Sequence, residues 1–243
     1  MPMAPEAKVG NLLEIVALSK RFGEQVALAD VAFSIRAGEV LGLIGPNGAG
    51  KTTLLETMAG VLPADAGSVL WRGTPLSQAR RRDVLFYVPD VVRPYREQYV
   101  ARVLAFFRKV YGRSSSQIEE TVAAVGLAPV LGHRVDALSK GYARRLLLAL
   151  GLLTPQPLLL MDEPFDGFDL RQTREMMAVL RRIAAAGRTL LLSIHQLNDA
   201  ERVCDRFVLL AGGRVRGAGT REELRAQASR PSGSLEDVFL ALA

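Results

Sequence analysis

A glycine-rich stretch that could hold a phosphate group follows a short apolar run. It reads GPNGAGKT from Gly45 to Thr52, after apolar residues at 40–44. Glycines let backbone amides converge on phosphate oxygens, and a following helix N-terminus adds partial positive charge. In this pattern Lys51 reaches the β and γ phosphates of a nucleotide, and the Thr52 hydroxyl ligates magnesium. The residues predicted to contact the nucleotide are Asn47, Gly48, Ala49, Gly50, Lys51, Thr52 and Thr53.

Two adjacent carboxylates end a second apolar run. Asp162 and Glu163 follow positions 158–161, which have the composition of a buried strand. Because ligands of parallel sheets bind at the carboxyl ends of the strands, both side chains are expected beside the phosphate loop. Asp162 is predicted to hold magnesium through its water shell, and Glu163 to polarise an attacking water. The alternative is a pair of solvated carboxylates at a strand end.

Two further segments carry polar groups at element boundaries. The pentapeptide Leu138-Ser-Lys-Gly-Tyr142 precedes a helix predicted from near Ala143 to Leu153, and Ser139 could equally be an ordinary N-cap. His195 ends the strand predicted at 190–194, where its side chain can reach a γ-phosphate and a water molecule. A lone histidine is more often structural, which is the interpretation for His133.

The composition indicates a globular chain with no extreme bias. Of 243 residues, 49% are hydrophobic and 23% are charged, so a full core can form. The single cysteine, Cys204, excludes an internal disulfide and fits a reducing compartment. No apolar stretch approaches the ~20 residues of a membrane-spanning helix, and residues 1–10 lack a targeting pattern. The net charge of +6 comes from scattered arginines, which favours a solvated basic face over nucleic-acid binding.

The elements that must position these groups follow from periodicity. Short alternating segments over 12–36, with a turn at Gly23-Glu24, predict antiparallel strands. Helix-forming residues with apolar spacing predict a helical lobe over about 96–153. Strand patterns at 158–161, 190–194 and 207–210, with a helix over 170–185, predict a parallel sheet with crossover helices. Two capping boxes, at Thr220 and Ser234, open helices in the tail.

These segments, in this order and spacing, resemble the ATP-binding cassette (ABC) ATPase family from Leu13 to Ala243. The resemblance implies an α/β P-loop NTPase core of RecA-like type with an antiparallel β subdomain and an inserted α-helical lobe. The implied division is an N-terminal tail over 1–10, a nucleotide-binding core over 11–89 and 154–217, a helical signature subdomain over 90–153 and a helical tail over 218–243.

The resemblance also implies roles for particular residues. ATP and Mg²⁺ are the implied ligands, with Glu163, His195 and Lys51 as the catalytic groups and His195 as a switch histidine. Phe22 resembles the aromatic residue that stacks on adenine, and Asp169 the last residue of the loop after the Asp-Glu pair; either could instead be a packing or turn residue. Ser139 and Gly141 belong to the signature, which in the family encloses the nucleotide of a second, head-to-tail cassette.

The chain departs from the family pattern at several positions. Asp90 stands where glutamine is usual, in a position that touches magnesium and links the core to the helical lobe. A carboxylate can still ligate magnesium but adds negative charge near the γ-phosphate, so altered coupling or slower turnover is expected. Arg144 replaces a frequent glutamine and Lys140 a frequent glycine. In the loop after Glu163, Asp166 and Phe168 replace serine and leucine.

The favoured function is an ATP-hydrolysing transporter subunit that drives export through a separate transmembrane permease. Such a subunit lies at the cytoplasmic face of the membrane and pairs with a second cassette, as a homodimer or heterodimer. The segment Ser234-Leu-Glu-Asp-Val-Phe-Leu240 resembles the closing motif of export-type cassettes, and no large regulatory domain is expected after it. The rival is a soluble ABC ATPase acting on nucleic acid or ribosomes. A small kinase or GTPase is weaker, because the guanine motif Asn-Lys-x-Asp does not occur.

Overall fold

The computed structural model describes residues 10–90, 92 and 94–242. Most of the tail expected over 1–10 therefore lies outside the described residues. The strands are β1 (Asn11–Phe22), β2 (Gln25–Arg36), β3 (Val40–Ile44), β4 (Ala66–Trp71), β5 (Thr74–Pro75), β6 (Leu85–Val88), β7 (Leu158–Asp162), β8 (Thr189–Ile194), β9 (Arg206–Ala211) and β10 (Arg214–Gly219). The α-helices are α1 (Lys51–Ala59), α2 (Arg81–Val84), α3 (Val100–Val110), α4 (Ser115–Val125), α5 (Lys140–Leu153), α6 (Leu170–Ala185), α7 (Leu197–Val203), α8 (Arg221–Gln227) and α9 (Leu235–Leu242).

A six-stranded sheet forms the centre of the molecule, in the order β10-β9-β3-β8-β7-β6. Strands β9, β3, β8, β7 and β6 are paired in parallel, and β10 joins the edge antiparallel to β9. Every residue of β3, β7 and β8 is buried, as continuous apolar runs require when helices cover both faces. The predicted α/β core with a parallel sheet is confirmed, and the carboxyl ends of β3, β7 and β8 lie side by side.

A separate antiparallel sheet has the order β2-β1-β4-β5. Its first hairpin turns at Gly23-Glu24, with Phe22 paired to Gln25, as the sequence predicts. In β2 the side chains of Val31, Phe33 and Ile35 are buried while the residues between them are more exposed. This alternation buries one face of the sheet over the core and brings the end of β1 towards the phosphate loop.

The helical lobe contains α3, α4 and α5. Helix α5 begins at Lys140, one turn earlier than the start predicted near Ala143. The reason is the cap: Ser139 Oγ accepts a hydrogen bond from the Tyr142 N–H at 3.3 Å, so the first turn can form over Lys140 and Gly141. Ser139 is therefore the N-cap of α5, and this position is compatible with the signature role that the family resemblance implies. None of the helices in the described part of the chain has the length and apolar composition needed to cross a bilayer.

The two capping boxes predicted in the tail are present. Glu223 N–H donates to Thr220 Oγ1 at 3.2 Å, and Thr220 N–H donates to the Glu223 carboxylate at 2.7 Å. Ser234 and Asp237 exchange the same pair of bonds ahead of α9. Each box satisfies amides that a helix start would otherwise leave unpaired.

Close packing surrounds the cysteine. A Cβ atom added to Gly42, in the middle of β3, would come 2.9 Å from Cys204 Sγ, so glycine leaves the room that the thiol occupies. Burial raises the pKa of this thiol well above its usual range. The sulfur thus fills space against the main chain of a central strand.

Candidate functional site

The glycine-rich loop connects β3 to α1. Gly48 and Gly50 have φ values of 80° and 103°, which side chains with a Cβ rarely adopt. A Cβ on Gly50 would also lie 2.8 Å from the Ala27 carbonyl oxygen. The Lys51 ammonium donates to the carbonyl oxygens of Gly45, at 2.8 Å, and Pro46, at 3.3 Å. These contacts curl the loop around the lysine and leave a concave backbone suited to phosphate oxygens.

Asp162 lies at the end of β7, opposite the start of α1. Thr52 Oγ1 donates to Asp162 Oδ2 at 2.7 Å, and the Ser193 hydroxyl donates to Oδ1. Asp162 is only 2% exposed, and its negative charge contributes to the raised pKa values of Glu56 and Tyr87, for which burial is the larger cause. A hydroxyl and a carboxylate together are hard oxygen donors, which suit Mg²⁺ bound with nucleotide phosphates and water.

Glu163 follows β7 in a left-handed conformation, with φ of 46°. Its Oε2 lies 2.7 Å from His195 Nδ1, and its Oε1 lies 3.7 Å from Lys51 Nζ. A non-glycine residue keeps such a conformation only when surrounding contacts hold it in place. The carboxylate is thus placed between a cation of the phosphate loop and an imidazole, where it can accept a proton from water.

Ser193 was missed by the sequence reasoning. Its hydroxyl donates to Asp162, and its oxygen accepts the Glu163 N–H at 2.9 Å. The signal that could have found it is a small polar residue directly after the apolar run 190–192 of β8, which the sheet pairs with Asp162. Buried hydroxyls need partners, so such a serine implies one on the neighbouring strand.

One cavity brings most of the predicted residues together. Those that line it are Phe22, Asn47, Gly48, Gly50, Lys51, Thr52, Thr53, Asp90, Asp162 and Glu163. Ala49 does not line it: the side chain is buried in the core, and the N–H donates to the Pro46 carbonyl at 3.1 Å. His195 lines an adjacent depression together with Glu163.

The remaining predicted contacts lie away from this cavity. Ser139, Gly141 and Asp169 are absent from its lining. Asp169 caps α6, where its carboxylate accepts the Gln172 N–H at 2.8 Å, which fits the turn-residue alternative.

Phe22 lies at the cavity with 49% of its surface exposed, and the Lys20 ammonium is 5.5 Å from its ring centroid. An exposed aromatic face at this place suits stacking on a planar base.

Four of the five departures from the family pattern form two ion pairs. The Arg144 guanidinium pairs with the Asp90 carboxylate, and Lys140 Nζ lies 2.7 Å from Asp166 Oδ2. The ammonium is the leading cause that lowers the pKa of Asp166. The first pair joins α5 to the wall of the nucleotide cavity, and the second joins α5 to the loop that lines the depression beside His195.

Comparisons with known proteins agree with this geometry. A family model described as "ABC transporter" matches residues 28–166. The chain is 33% identical over 241 residues to the probable multidrug ABC transporter ATP-binding protein YbhF of Escherichia coli, covering 96% of this chain and 42% of that protein. It is 36% identical over 207 residues to the Nod factor export ATP-binding protein I of Bradyrhizobium diazoefficiens, covering 83% of this chain and 68% of that protein.

Solved structures give the same result. The structure of an ATP-binding subunit of an ABC transporter superposes with a TM-score of 0.86 at 31% identity, covering 95% of this chain and 99% of that one. The family match spans more than half of the sequence, and its residues include the phosphate loop and the Asp162-Glu163 pair. The chain therefore belongs to the ABC transporter family, as one of that family's ATP-binding cassettes.

Proposed function

We propose that this cassette couples magnesium-dependent ATP hydrolysis to export through separate membrane-spanning subunits. The observation that carries the proposal is the cluster at the carboxyl ends of β3, β7 and β8. There, Thr52 bonds to Asp162, while Glu163 lies between Lys51 and His195. Phosphoryl transfer to water needs a loop that binds the phosphates and a carboxylate that can orient the attacking water.

Binding is the task of the loop and of Phe22. The backbone amides from Gly48 to Thr52 and the Lys51 ammonium would hold the phosphates, and the Phe22 ring would stack on adenine. Thr52 and Asp162 would hold Mg²⁺, with Asp90 on the same cavity wall. The metal ion, when bound, supplies positive charge to the phosphate oxygens.

Hydrolysis is the task of Glu163 and His195. Glu163 accepts a proton as the water oxygen forms its bond to the γ-phosphorus and the bond from that phosphorus to the bridging oxygen breaks, giving ADP and phosphate. His195 fixes the orientation of the carboxylate, since its Nδ1 is within hydrogen-bonding distance. Ser193 fixes the main chain at Glu163 and the carboxylate of Asp162.

A second cassette is required to complete the site. Ser139 and Gly141 do not line the cavity of their own chain, which is consistent with their acting on the nucleotide of a head-to-tail partner. The start of α5 carries these residues, so its amides would face the partner's phosphates. The separate permease belongs to the same proposal, because the chain is 31% identical to an ATP-binding subunit of an ABC transporter and covers 99% of that chain.

Export is supported by the names of relatives. YbhF is named as a probable multidrug ABC transporter ATP-binding protein, and the Nod factor proteins are named as export ATP-binding proteins. The chain spans under half the length of YbhF, so activity and partners of that longer protein are carried over only as part of this proposal.

The test has two arms. Purified chain should hydrolyse ATP with Mg²⁺, and Lys51→Ala should lower affinity for the nucleotide at least tenfold, because the ammonium is removed from the phosphate loop. The chain should also co-purify with membranes that contain a co-expressed multi-span permease. Retention on nucleic acid in moderate salt, without membrane association, would favour the soluble ABC ATPase.

A further inference from the structure

The ion pair between Asp90 and Arg144 joins two positions at which the family usually has glutamine. We propose that this pair acts as one unit that positions Asp90 at the nucleotide, and that Arg144 is a positioning residue for the ATPase reaction. The inference rests on the proposed function, because it assigns a role at the same site.

Arg144 is held from several directions. Its side chain is 3% exposed, one of its terminal nitrogens donates to Asp90 Oδ1, and the other donates to the Asp162 carbonyl at 3.3 Å and lies 3.5 Å from that of Pro89. A buried guanidinium without a carboxylate partner would be costly, so Asp90 stabilises it. The arginine in turn links α5 to the end of β7, where Asp162 lies.

Asp90 remains open to the cavity while it is paired. Its side chain is 31% exposed, it lines the nucleotide cavity, and Oδ1 is the atom that Arg144 contacts. Glutamine at this position would bring no charge, whereas an isolated aspartate would repel the phosphates. The guanidinium supplies the compensating charge, so the pair presents carboxylate oxygen without a net negative charge beside the γ-phosphate.

The two substitutions are therefore expected to depend on each other. Arg144→Gln leaves a carboxylate uncompensated and should raise KM for MgATP roughly tenfold. Asp90→Gln leaves the guanidinium buried without its anion and should lower kcat/KM to a similar extent. The double variant Asp90→Gln/Arg144→Gln carries the residues frequent in the family and should return to within about threefold of the wild-type kcat/KM.

The two single variants and the double variant form a double-mutant cycle, and the thermal stability of its members can be measured without nucleotide. Each single variant should lower Tm by about 6–15 °C, and the double variant by much less than the sum. Arg144→Lys keeps the positive charge, so its KM should stay near the wild-type value even if Tm falls. The matched control is the exposed pair Arg80 and Asp83, whose Arg80→Gln and Asp83→Asn variants should change neither Tm nor KM measurably.

The results separate the inference from the proposed function. Additive effects on both Tm and kcat/KM would show that the two residues do not act as a unit. Coupling in Tm with additive KM values would reduce the pair to a structural role and overturn the positioning claim. A wild-type chain that does not hydrolyse MgATP would instead refute the proposed function, while the Tm cycle would still report on the pair.

Discussion

The imidazole Nδ1 of His195 lies 2.7 Å from Oε2 of Glu163, across the ends of two neighbouring strands. This contact fixes the orientation of the Glu163 carboxylate, which follows β7 in a left-handed backbone conformation. Its other oxygen faces Lys51 at 3.7 Å. In the proposed mechanism this arrangement links the activation of water to the phosphate loop, and the first prediction follows from it.

Glu163→Gln should slow hydrolysis by roughly 10² to 10⁴ while ATP binding persists, because the amide keeps the shape of the side chain but cannot accept the proton. Single-turnover hydrolysis and equilibrium nucleotide binding are the measurements. Near-normal turnover in this variant would remove Glu163 from its assigned role.

Ser139→Ala should abolish most of the ATPase activity of the paired cassettes and also lower stability by about 1 kcal/mol, because the serine caps α5. Ser114→Ala is the matched control, since Ser114 caps α4 in the same lobe by a bond to Gln117. Both variants should lose similar stability in urea unfolding. Only the first should lose activity, and equal activities would contradict a signature role for Ser139.

Ser193→Ala should lower ATPase activity at least tenfold and stability by about 1–3 kcal/mol, because it leaves groups of Asp162 and Glu163 without their partner. The control is Thr189→Val at the other end of β8, where the hydroxyl accepts the Gly38 N–H. That variant should lose stability but retain its rate per folded molecule. A Ser193 variant that behaves like this control would leave the serine a purely structural role.

Phe22→Ala should weaken ATP binding about fivefold to thirtyfold through loss of stacking on adenine, whereas Phe22→Trp should retain it. Phe106 on α3 has the same exposure, 49%, and Phe106→Ala should leave the affinity of the isolated chain unchanged. Titration with a fluorescent ATP analogue measures both. Equal affinities of the two alanine variants would exclude stacking by Phe22.

The contiguous parts of the site were predictable, and the parts assembled by tertiary structure were not. The phosphate loop and the Asp162-Glu163 pair are each recognisable from a few consecutive residues and the apolar run before them. The sequence therefore predicts the strand, loop and helix around them. The bond from Ser193 to Asp162 spans 31 positions and depends on which strands are neighbours. The start predicted for α5 near Ala143 is late because the helix begins directly after the Ser139 cap and includes Lys140 and Gly141 in its first turn.

The same limit applies to the departures from the family. Asp90 and Arg144 are 54 positions apart, and Lys140 and Asp166 belong to different elements. Taken singly, each of the four residues is only a replacement within a family motif. Their charges balance only when α5 packs beside the ends of the strands, which a single sequence without the fold does not reveal.

The packing of Cys204 against the main chain of β3 has a practical consequence. A thiol with a raised pKa carries little thiolate at neutral pH, so maleimide dyes and spin labels should react with it slowly. A cysteine introduced at an exposed place, such as Leu240 with 73% exposure, would therefore take up a probe selectively in the otherwise native sequence. Distances between two labelled copies could then be followed through a catalytic cycle without first engineering a cysteine-free background.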